Sequence, residues 1–239
     1  MMKSKIKSIH ACTNDSSNEV RVSVAGTELV LLANRMAWWP DQKALLLADT
    51  HFGKAAKFRQ AGIPVPEGTT SCMLGGISAT LQSYAAEQLF LLGDFIHSSN
   101  RAEQDYEQEL LAWRDQHSAV HITLIQGNHD CHRADIFQRL NFVVHPRDLY
   151  LDPFLLCHNP TAPHYARDGR FRLGGHIHPG FQPGSKLINV VPCFWLTSRF
   201  IVFPAYGRFT GLARVSPGDD DILYGVYQNE IAMIHPPAS

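Results

Sequence analysis

The sequence lacks long apolar runs, paired cysteines and a large net charge, and each absence excludes a class of protein. No stretch approaches the roughly 18 apolar residues that a spanning helix needs, so we expect no membrane association. The five cysteines are scattered and never spaced as C-x-x-C, which argues against a disulfide framework or a zinc ribbon. The basic N-terminus has no apolar secretory core, and we therefore expect a reducing, cytoplasmic location.

The charge is small in total but uneven along the chain. A net charge of −1 gives no global attraction for nucleic acid. The segment 159–214 nevertheless carries seven basic residues against Asp168 alone, a balance of +6. Histidine is abundant, with 13 in total, and several histidines lie in short clusters. The abundance and clustering of histidine are the unusual features of this composition.

The length and periodicity predict an α/β domain. With 239 residues, 45% of them apolar, the chain can form one large domain or two small ones. Residues 1–18 are expected to be disordered. Strands alternate with helices up to residue 149 and strands dominate afterwards, without a long linker. The simplest interpretation is a single domain over 19–239, with two packed sheets and helices outside them.

The individual elements follow from apolar patterning and turn residues. Continuous apolar runs are typical of central strands, and a 3.6-residue period is typical of helices. The predicted strands are 20–24, 28–33, 43–49, 88–94, 121–127, 141–145, 150–158, 170–176, 186–191, 193–196, 199–203, 221–227 and 230–234, and the predicted helices are 53–62, 70–87, 101–117 and a weaker one ending at Leu140.

Five of the apolar strands end in side chains that bind metals. In α/β sheets, ligands gather at the carboxyl ends of the strands. Carboxylates, an amide and imidazoles at these ends have the composition of a two-metal site. Taken singly, each residue could be a cap or a turn residue, but jointly and in this order they favour metal binding. The candidates are Asp49, His51, Asp94, Asn128, His158, His176 and His178.

The order D-x-H, G-D-x-x-H, G-N-H-D, H and G-H-x-H resembles that of the calcineurin-like metallophosphoesterases. The motifs run from Leu45 to His178, and as a set of five they are specific. The resemblance implies a four-layer αββα sandwich of two mixed sheets flanked by helices, with a dinuclear metal centre. It implies a hydrolase that cleaves phosphoester bonds with metal-activated water.

The same resemblance assigns roles to the candidates. Asp94 would bridge two metals, and His129 would stand outside the ligands as the acid that protonates the leaving oxygen. Manganese is the expected metal, with iron, zinc or nickel as alternatives, because mixed nitrogen and oxygen ligation suits them all. Asp49, His51, Asp94 and His178 would hold one ion, and Asp94, Asn128, His158 and His176 the other.

The chemistry of phosphoester cleavage agrees with these roles independently. Two cations ~3.5–4 Å apart would clamp the phosphoryl oxygens and lower the pKa of a water between them. The departing alkoxide then needs a proton, and an imidazole suits this near neutral pH.

A narrower resemblance rests on "HFGKAAKFRQAGIPVPEG", "LGDFIHS", "GHIHP" and "PCFWL…FPAYGRFTG". These strings are similar to the bacterial DNA-ligase-associated metallophosphoesterases. The resemblance implies a phosphodiesterase or nuclease with DNA as its substrate. It also implies a role in damage repair beside an ATP-dependent DNA ligase and a DEAD/DEAH-type helicase.

Two other functions stay open at this point. One is a phosphoesterase for a small nucleotide or a pyrophosphate-linked metabolite. The other is a non-catalytic scaffold that kept the fold and its metals. The presence of His129 together with every ligand type argues against the scaffold, since the acid has no use there.

Two residues beside the ligands have open roles. Asp130 is counted with His129 as catalytic. Two interpretations of it stay open: it orients the His129 imidazole, or it is a negative charge at a helix N-terminus. His97 stands where many relatives carry an acidic residue. It is interpreted as supporting a ligand or facing substrate, not as binding metal.

The remaining candidates are cations that could meet the substrate. Lys54 and Lys57 share a helix face, and contact with a substrate phosphate is as plausible as a solvated face. The segment 159–214, which contains Arg172, interleaves arginines with aromatic residues, as in proteins that hold single-stranded nucleic acid. Its aromatic residues fit a core better at strand spacing, whereas its arginines could form a positive rim near the metals.

Overall fold

A computed structural model describes residues 10–11, 18–97, 104–182 and 189–234. The predicted disordered start, 1–18, lies outside the described residues apart from 10–11 and 18. Residues 186–188 of the predicted strand at 186–191 also lie outside them, and of the described half only residue 191 is in a strand.

One mixed sheet carries the first half of the motifs. Eight strands of the described chain lie in it in sequence order, antiparallel from the first to the fifth and parallel from the fifth to the eighth. The fifth strand is buried throughout, as its continuous apolar run predicts. The strands are β1 His10–Ala11, β2 Glu19–Val24, β3 Thr27–Leu32, β4 Ala37–Trp39, β5 Ala44–Leu47, β6 Gln88–Leu91, β7 His121–Ile125 and β8 Val143–His145.

Helices cover one face of this sheet. They are α1 Lys54–Gln60, α2 Thr69–Ser83, α3 Gln104–Gln116 and α4 Ala134–Arg139. Apolar side chains of α2, α3 and α4 pack on the sheet in one buried cluster. Helix α2 stops short of the predicted end at residue 87, and Ala85 adopts a left-handed φ of 47° that a helix cannot contain. Within the described chain, none of the helices combines the length and apolarity that a membrane crossing would need.

A second mixed sheet follows along the chain. The predicted strand at 150–158 is in fact two strands, β9 and β10, because Pro153 cannot donate to a sheet and lies in the turn between them. Strands β12 and β15 were not predicted. The strands are β9 Leu149–Leu151, β10 Phe154–Leu156, β11 Phe171–Gly174, β12 Pro179–Phe181, β13 Val191–Leu196, β14 Phe200–Val202, β15 Ala213–Arg214, β16 Ile222–Tyr227 and β17 Glu230–Ile234.

The two sheets pack face to face through a shared apolar core. Leu46 and Phe90 of the first sheet lie in one buried cluster with Leu173, Phe194 and Phe203 of the second. Each such side chain contributes about 1.5–3 kcal/mol by leaving water. The predicted arrangement of two mixed sheets with helices is confirmed. On the outer face of the second sheet, a 3-10 helix at Pro163–Tyr165 packs its tyrosine against the strands.

The topology brings the motif-bearing strand ends together. Strands β5, β6 and β7 are parallel neighbours, and β10 and β11 are parallel neighbours in the other sheet. An isolated pairing of Ala48 with Ala205 joins the end of β5 to the chain that follows β14. The loops that carry the predicted ligands therefore leave both sheets at one edge of the sandwich.

Candidate metal centre

Strained backbone marks the loops at this edge. Twelve non-glycine residues among those described have positive φ, and five of them are predicted ligands. Left-handed φ costs a non-glycine residue on the order of 1–3 kcal/mol and persists only where the surroundings impose it. Strain of this kind concentrates at functional sites. The five are Asp49 at 53°, His51 at 48°, Asp94 at 48°, His176 at 73° and His178 at 52°.

The first group of ligand atoms comes from Asp49, His51 and His178. The two Nε2 atoms of the histidines lie 3.2 Å apart, and His178 Nε2 is 3.6 Å from Asp49 Oδ1. All three residues offer an atom within 4.8 Å of the others. The sequence-distant motifs D-x-H and H-x-H therefore converge on one point.

The second group consists of Asp94, His158 and His176. His176 Nδ1 lies 3.1 Å from His158 Nε2, which is 3.5 Å from Asp94 Oδ1. The other oxygen of Asp94 is 3.9 Å from His51 Nε2 in the first group. Asp94 thus lies between the two groups, in the position that a bridging carboxylate requires.

These groups fit divalent cations. Ligand atoms ~2.0–2.2 Å from one ion, at angles near 90–110°, lie roughly 3.0–3.6 Å from one another, which matches the separations observed. Asp49 Oδ1 is buried and has no hydrogen-bond donor among the described residues. A buried carboxylate oxygen without a donor is costly unless an ion satisfies it. The donor set of carboxylates and imidazoles suits first-row transition metals.

Backbone carbonyls orient two of the imidazoles. His158 Nδ1 lies 3.0 Å from the carbonyl oxygen of Leu92, and His178 Nδ1 lies 3.2 Å from that of Gly211. A proton on Nδ1 that is donated to these carbonyls leaves the lone pair of Nε2 free for a metal. Both histidines are therefore held in the tautomer that ligation needs.

Close backbone approach explains a glycine beside Asn128. A Cβ on Gly127 would lie 2.3 Å from both the backbone nitrogen and Oδ1 of Asp94. No side chain fits at that distance without moving the carboxylate. The glycine of G-N-H-D is thus required by packing against the bridging aspartate.

We expect Gly127→Ala to lower metal content and the free energy of unfolding, because the added methyl displaces Asp94. Metal analysis and thermal unfolding measure the two effects. Gly169→Ala is the matched control, since a Cβ there meets nothing within 4 Å. Full metal content in Gly127→Ala would show that Asp94 can move without loss of the site.

The electrostatics of the two groups favour positive charge. Burial lowers the pKa of His158, but its hydrogen bond to Asp94 and the charges of Asp49 and Asp94 raise that pKa to about 9. Burial acts to raise the pKa of Asp94, yet the hydrogen bond and charge of His158 hold it well below its usual range. Burial lowers the pKa of His51 to about 3. The buried carboxylates thus attract a cation, which is a proton on His158 when no metal is bound.

Asn128 and His129 lie at the mouth of the site. Both are exposed, and the backbone nitrogen of His129 donates to Asp94 Oδ1 at 3.0 Å. The imidazole Nε2 of His129 is 3.9 Å from Asp94 Oδ2, and 45% of the side chain is exposed. This imidazole is therefore beside the ligand groups but open to a substrate.

The position of Asp130 fits neither of the two roles considered for it, which were to orient the His129 imidazole and to provide a charge at a helix N-terminus. Its side chain is fully buried, where Oδ1 accepts the backbone N–H of Ile96 at 3.1 Å and Oδ2 that of Gly127 at 2.9 Å. These bonds tie the loop after β6 to the loop after β7. Asp130 is thus a positioning residue for Asp94 and Asn128, and its oxygens face away from substrate.

His97 and the two lysines lie on one side of the mouth. The His97 ring centroid is 4.8 Å from that of His129 and 5.2 Å from that of His51. Burial, followed by the charge of Lys54, lowers the pKa of His97 to about 4. Lys54 is half-buried and interacts electrostatically with Asp94, while Lys57 is exposed and also acts on His97. The lysines therefore present positive charge next to the candidate centre.

Arg172 is not brought to the site, which corrects its prediction as a substrate contact. It is buried on the outer face of β11, because strand alternation turns the neighbouring Leu173 into the core. Its guanidinium lies 5.4 Å from the ring centroid of Tyr165 and 5.5 Å from that of Phe200. One of its N–H groups donates to the Tyr165 carbonyl at 3.2 Å.

The other arginines of segment 159–214 divide between two faces. Arg170 pairs with Asp168, and Arg199 donates to the Ala166 carbonyl at 2.8 Å, so both support the outer face of the second sheet. Arg208 instead lines a depression that also contains His51 and Lys54. The interpretation of the aromatic residues as core is confirmed for Phe181, Phe194 and Phe203.

One loop of the site was missed when residues alone were considered. The nitrogens of Tyr206 and Gly207 donate to the carbonyls of Ala48 and Asp49 at 2.9 and 3.0 Å. A Cβ on Gly207 would lie 2.6 Å from the Thr50 carbonyl oxygen. The loop 205–211 thus supports the D-x-H motif, and the string "FPAYGRFTG" was the signal for it.

Comparison with known proteins places these motifs in context. A sequence profile described as Calcineurin-like phosphoesterase matches residues 42–182. The crystal structure of the Pseudomonas putida nuclease MPE is similar, with 33% identity, a TM-score of 0.75, and coverage of 87% of this chain and 97% of that one. Yfce, a phosphoesterase from E. coli, shows 15% identity and a TM-score of 0.43 over 80% of this chain and 97% of its own, too weak a likeness to carry a conclusion. No curated protein sequence matches the chain significantly.

Proposed function

Because this chain belongs to the calcineurin-like phosphoesterase family, we propose that it is a phosphodiesterase that cleaves DNA with the help of two divalent cations. Metal-dependent phosphoester hydrolysis follows from the family. The preference for diesters and for DNA is the proposal. The observation that carries it is the pair of ligand groups around Asp94, with the open imidazole of His129 beside them.

The candidate ligands form two sets, one for each of the two cations. Asp49, His51 and His178 would hold one, and His158 and His176 the other, with Asp94 contributing to both. Asn128 would complete the second set from its exposed loop. We propose manganese, because nitrogen and oxygen ligands together accept it. When bound, the cations would neutralise phosphoryl oxygens and make a water more acidic.

Of the remaining groups, His129 and the two lysines act on the substrate, and His97 acts on a metal-ligand candidate. His129 carries a proton on a ring nitrogen that is open to solvent and can pass it to the departing oxygen. Lys54 and Lys57 hold positive charge beside the same opening, which lowers the cost of bringing in an anionic diester. His97 packs edge-on against His51 and limits the movement of that ring.

A solved relative supports a nucleic acid as the substrate class. The chain is 33% identical to the P. putida nuclease over most of both lengths, and a nuclease cleaves phosphodiesters. The lysine side chains at the mouth are positively charged, so they attract a polyanion such as a nucleic acid more strongly than a substrate whose leaving group is uncharged. The same likeness favours a nuclease over a phosphoesterase for small nucleotides.

We expect metal-stripped protein to hydrolyse bis-p-nitrophenyl phosphate only after manganese is added back. The reloaded protein should hydrolyse this diester faster than it hydrolyses the monoester p-nitrophenyl phosphate. His97, whose pKa is lowered to about 4, is neutral near pH 7 and offers no positive charge to the second negative charge of a monoester, which favours the singly charged diester. The rates are measured for both substrates and then for single-stranded DNA under the same conditions.

The outcomes separate the functions. Diester hydrolysis together with DNA cleavage supports the nuclease. Diester hydrolysis with intact DNA removes the DNA assignment and favours a small nucleotide or a pyrophosphate-linked metabolite. Stoichiometric metal binding without any hydrolysis would identify a non-catalytic scaffold.

We further propose that the enzyme acts in the cytoplasm, in DNA damage repair, beside an ATP-dependent DNA ligase and a DEAD/DEAH-type helicase. The strings "HFGKAAKFRQAGIPVPEG" and "FPAYGRFTG" support this through their similarity to the ligase-associated group. The loop 205–211 formed by the second string packs directly on the first metal motif. Absence of both proteins from a copurification with the tagged chain would remove the partner proposal.

A further inference from the structure

A separate cavity of about 390 Å³ lies beyond the loop 205–211. It is bounded by the turn between β3 and β4, the N-terminal half of α2, and the turn between β16 and β17. Its size falls in the range that small-molecule sites occupy. None of the metal-ligand candidates lines it, so it is distinct from the metal centre.

The charge of this cavity is positive. Arg35 and Arg208 both line it, and no acidic residue is among the described residues that do. Arg208 is exposed and has no hydrogen bond or ion pair within the described part of the chain. Arg35 donates one N–H to the carbonyl oxygen of Ala205 at 3.0 Å, and it forms no ion pair with a carboxylate among the described residues. Burial and the charge of Arg208 together lower the pKa of the Arg35 guanidinium.

Two adjacent guanidinium groups without a carboxylate repel each other. That arrangement is unfavourable in the free protein, and an anion between them would relieve it. The guanidinium fork of arginine matches the oxygens of a phosphate and can donate two N–H groups to them at once. Tyr227 offers an aromatic face at the same cavity, with 61% of the residue exposed. A phosphate next to a base-stacking surface is the chemistry of a nucleotide unit.

The cavity is connected to the metal centre. Arg208 and Met73 line both this cavity and the depression that contains His51 and Lys54. Between them runs the backbone of Gly207, which packs on the carbonyls of Asp49 and Thr50. A chain of cations therefore leads from Lys54 past Arg208 to Arg35.

We propose that the Arg35–Arg208 cavity binds a flanking nucleotide of a single nucleic-acid strand whose scissile phosphate lies at the metal centre. The two arginines hold the phosphate, and Tyr227 stacks on the base. A cavity of this volume takes one nucleotide unit and not a duplex, so the substrate is single-stranded at this point. The inference rests on the proposed nuclease function and names the substrate form that this site prefers.

The test compares Arg208→Gln with the wild type on two substrates. Bis-p-nitrophenyl phosphate has no flanking nucleotide to place in the cavity, whereas a labelled single-stranded oligonucleotide does. We expect kcat/KM on the oligonucleotide to fall by on the order of tenfold more than kcat/KM on the small diester. The loss should appear mainly in KM, because the contact binds a nucleotide that does not itself react.

A binding measurement gives a second readout on the same variant. For single strands, each lost phosphate contact reduces the slope of log K against log salt by ~0.7. The oligonucleotide Kd of Arg208→Gln, measured on metal-stripped protein at several salt concentrations, should show this reduction. Arg139→Gln is the matched control, because it removes an exposed arginine from α4 whose described partner is Glu107.

Stacking is tested on the tyrosine. Tyr227→Ala should weaken oligonucleotide binding by on the order of tenfold and Tyr227→Phe should not, because the ring alone provides the stacking face. Tyr150→Ala removes another exposed tyrosine and serves as the control.

The outcomes distinguish this inference from the proposed function. Wild-type cleavage of DNA with unchanged KM and salt slope in Arg208→Gln overturns the subsite and leaves the nuclease intact. An equal loss on both substrates also overturns it, since the variant would then act through the metal centre. Binding that depends on Arg208 and Tyr227 without DNA cleavage keeps the subsite and overturns the nuclease. A wild type that neither binds nor cleaves the oligonucleotide overturns both.

Discussion

Replacement of His129 with alanine is expected to lower kcat on DNA by ~10²–10⁴-fold, the range that a general acid contributes. Metal content should stay at the wild-type value, because the 45% exposed His129 side chain belongs to neither the group of Asp49 nor that of Asp94. His129 also lies within ligand distance of His51 and His97, so a loss of one ion in the variant would show that it binds metal. The backbone N–H that supports Asp94 is retained in the variant. The expected result is thus a fully loaded protein with little turnover.

The leaving group separates an acid from a positioning residue. A p-nitrophenolate leaves readily without a proton, whereas the alkoxide released from DNA does not. The loss in His129→Ala should therefore be larger on DNA than on bis-p-nitrophenyl phosphate. An equal loss on both substrates would contradict the acid role and point to binding or alignment.

His121→Ala is the matched control for this variant. His121 is an exposed histidine at the start of β7, whereas the site lies at the end of that strand. Its replacement should leave metal content, kcat and thermal stability unchanged. Full activity in His129→Ala, with DNA as the substrate, would remove the residue from the proposed chemistry.

The second large effect is expected for Asp94→Asn. The asparagine has one neutral oxygen and one NH₂ group where the carboxylate now faces both ligand groups. It can neither bridge two cations nor offset their charge. Metal content should fall below the two ions of the wild type. Activity should fall by more than the roughly 10–100-fold that loss of a ligand-supporting residue costs.

Metal analysis, activity and thermal unfolding together test this prediction. Asp221→Asn is the control, because its carboxylate also accepts two hydrogen bonds, from Trp195 Nε1 and the Gly218 N–H, but lies away from the site. Retention of two ions and of activity in Asp94→Asn would show that the groups bind metal independently. A folded variant with one ion would instead show that Asp94 is needed for one group only.

The ligand set illustrates what the sequence supplies. Asp49, Asp94 and His158 follow short apolar runs that are typical of buried strands, and strand ends in an α/β sheet meet at one edge. Residue type and order therefore sufficed to select the side chains that the structure brings together. The two-sheet architecture was predicted from the change in pattern at residue 149, where the alternation of strands and helices gives way to strands alone.

Arg172 and Asp130 illustrate what the sequence does not supply. A count of arginines cannot tell which face of β11 Arg172 occupies, and its burial under Tyr165 depends on a 3-10 helix that joins two strands. Asp130 follows the acid in sequence, yet its oxygens accept N–H groups from two loops that are 31 residues apart. Both outcomes depend on contacts between distant segments.

The sequence by itself indicated the fold class, the candidate metal ligands and the candidate acid, because these depend on local patterning and on the order of short motifs. Only the tertiary structure decided that Asp94 lies between the two groups, that Asp130 joins their loops, and that Arg35 and Arg208 share a cavity. The physical reason is that burial and ligand geometry depend on long-range packing. Residues 173 positions apart can meet only after both sheets have formed.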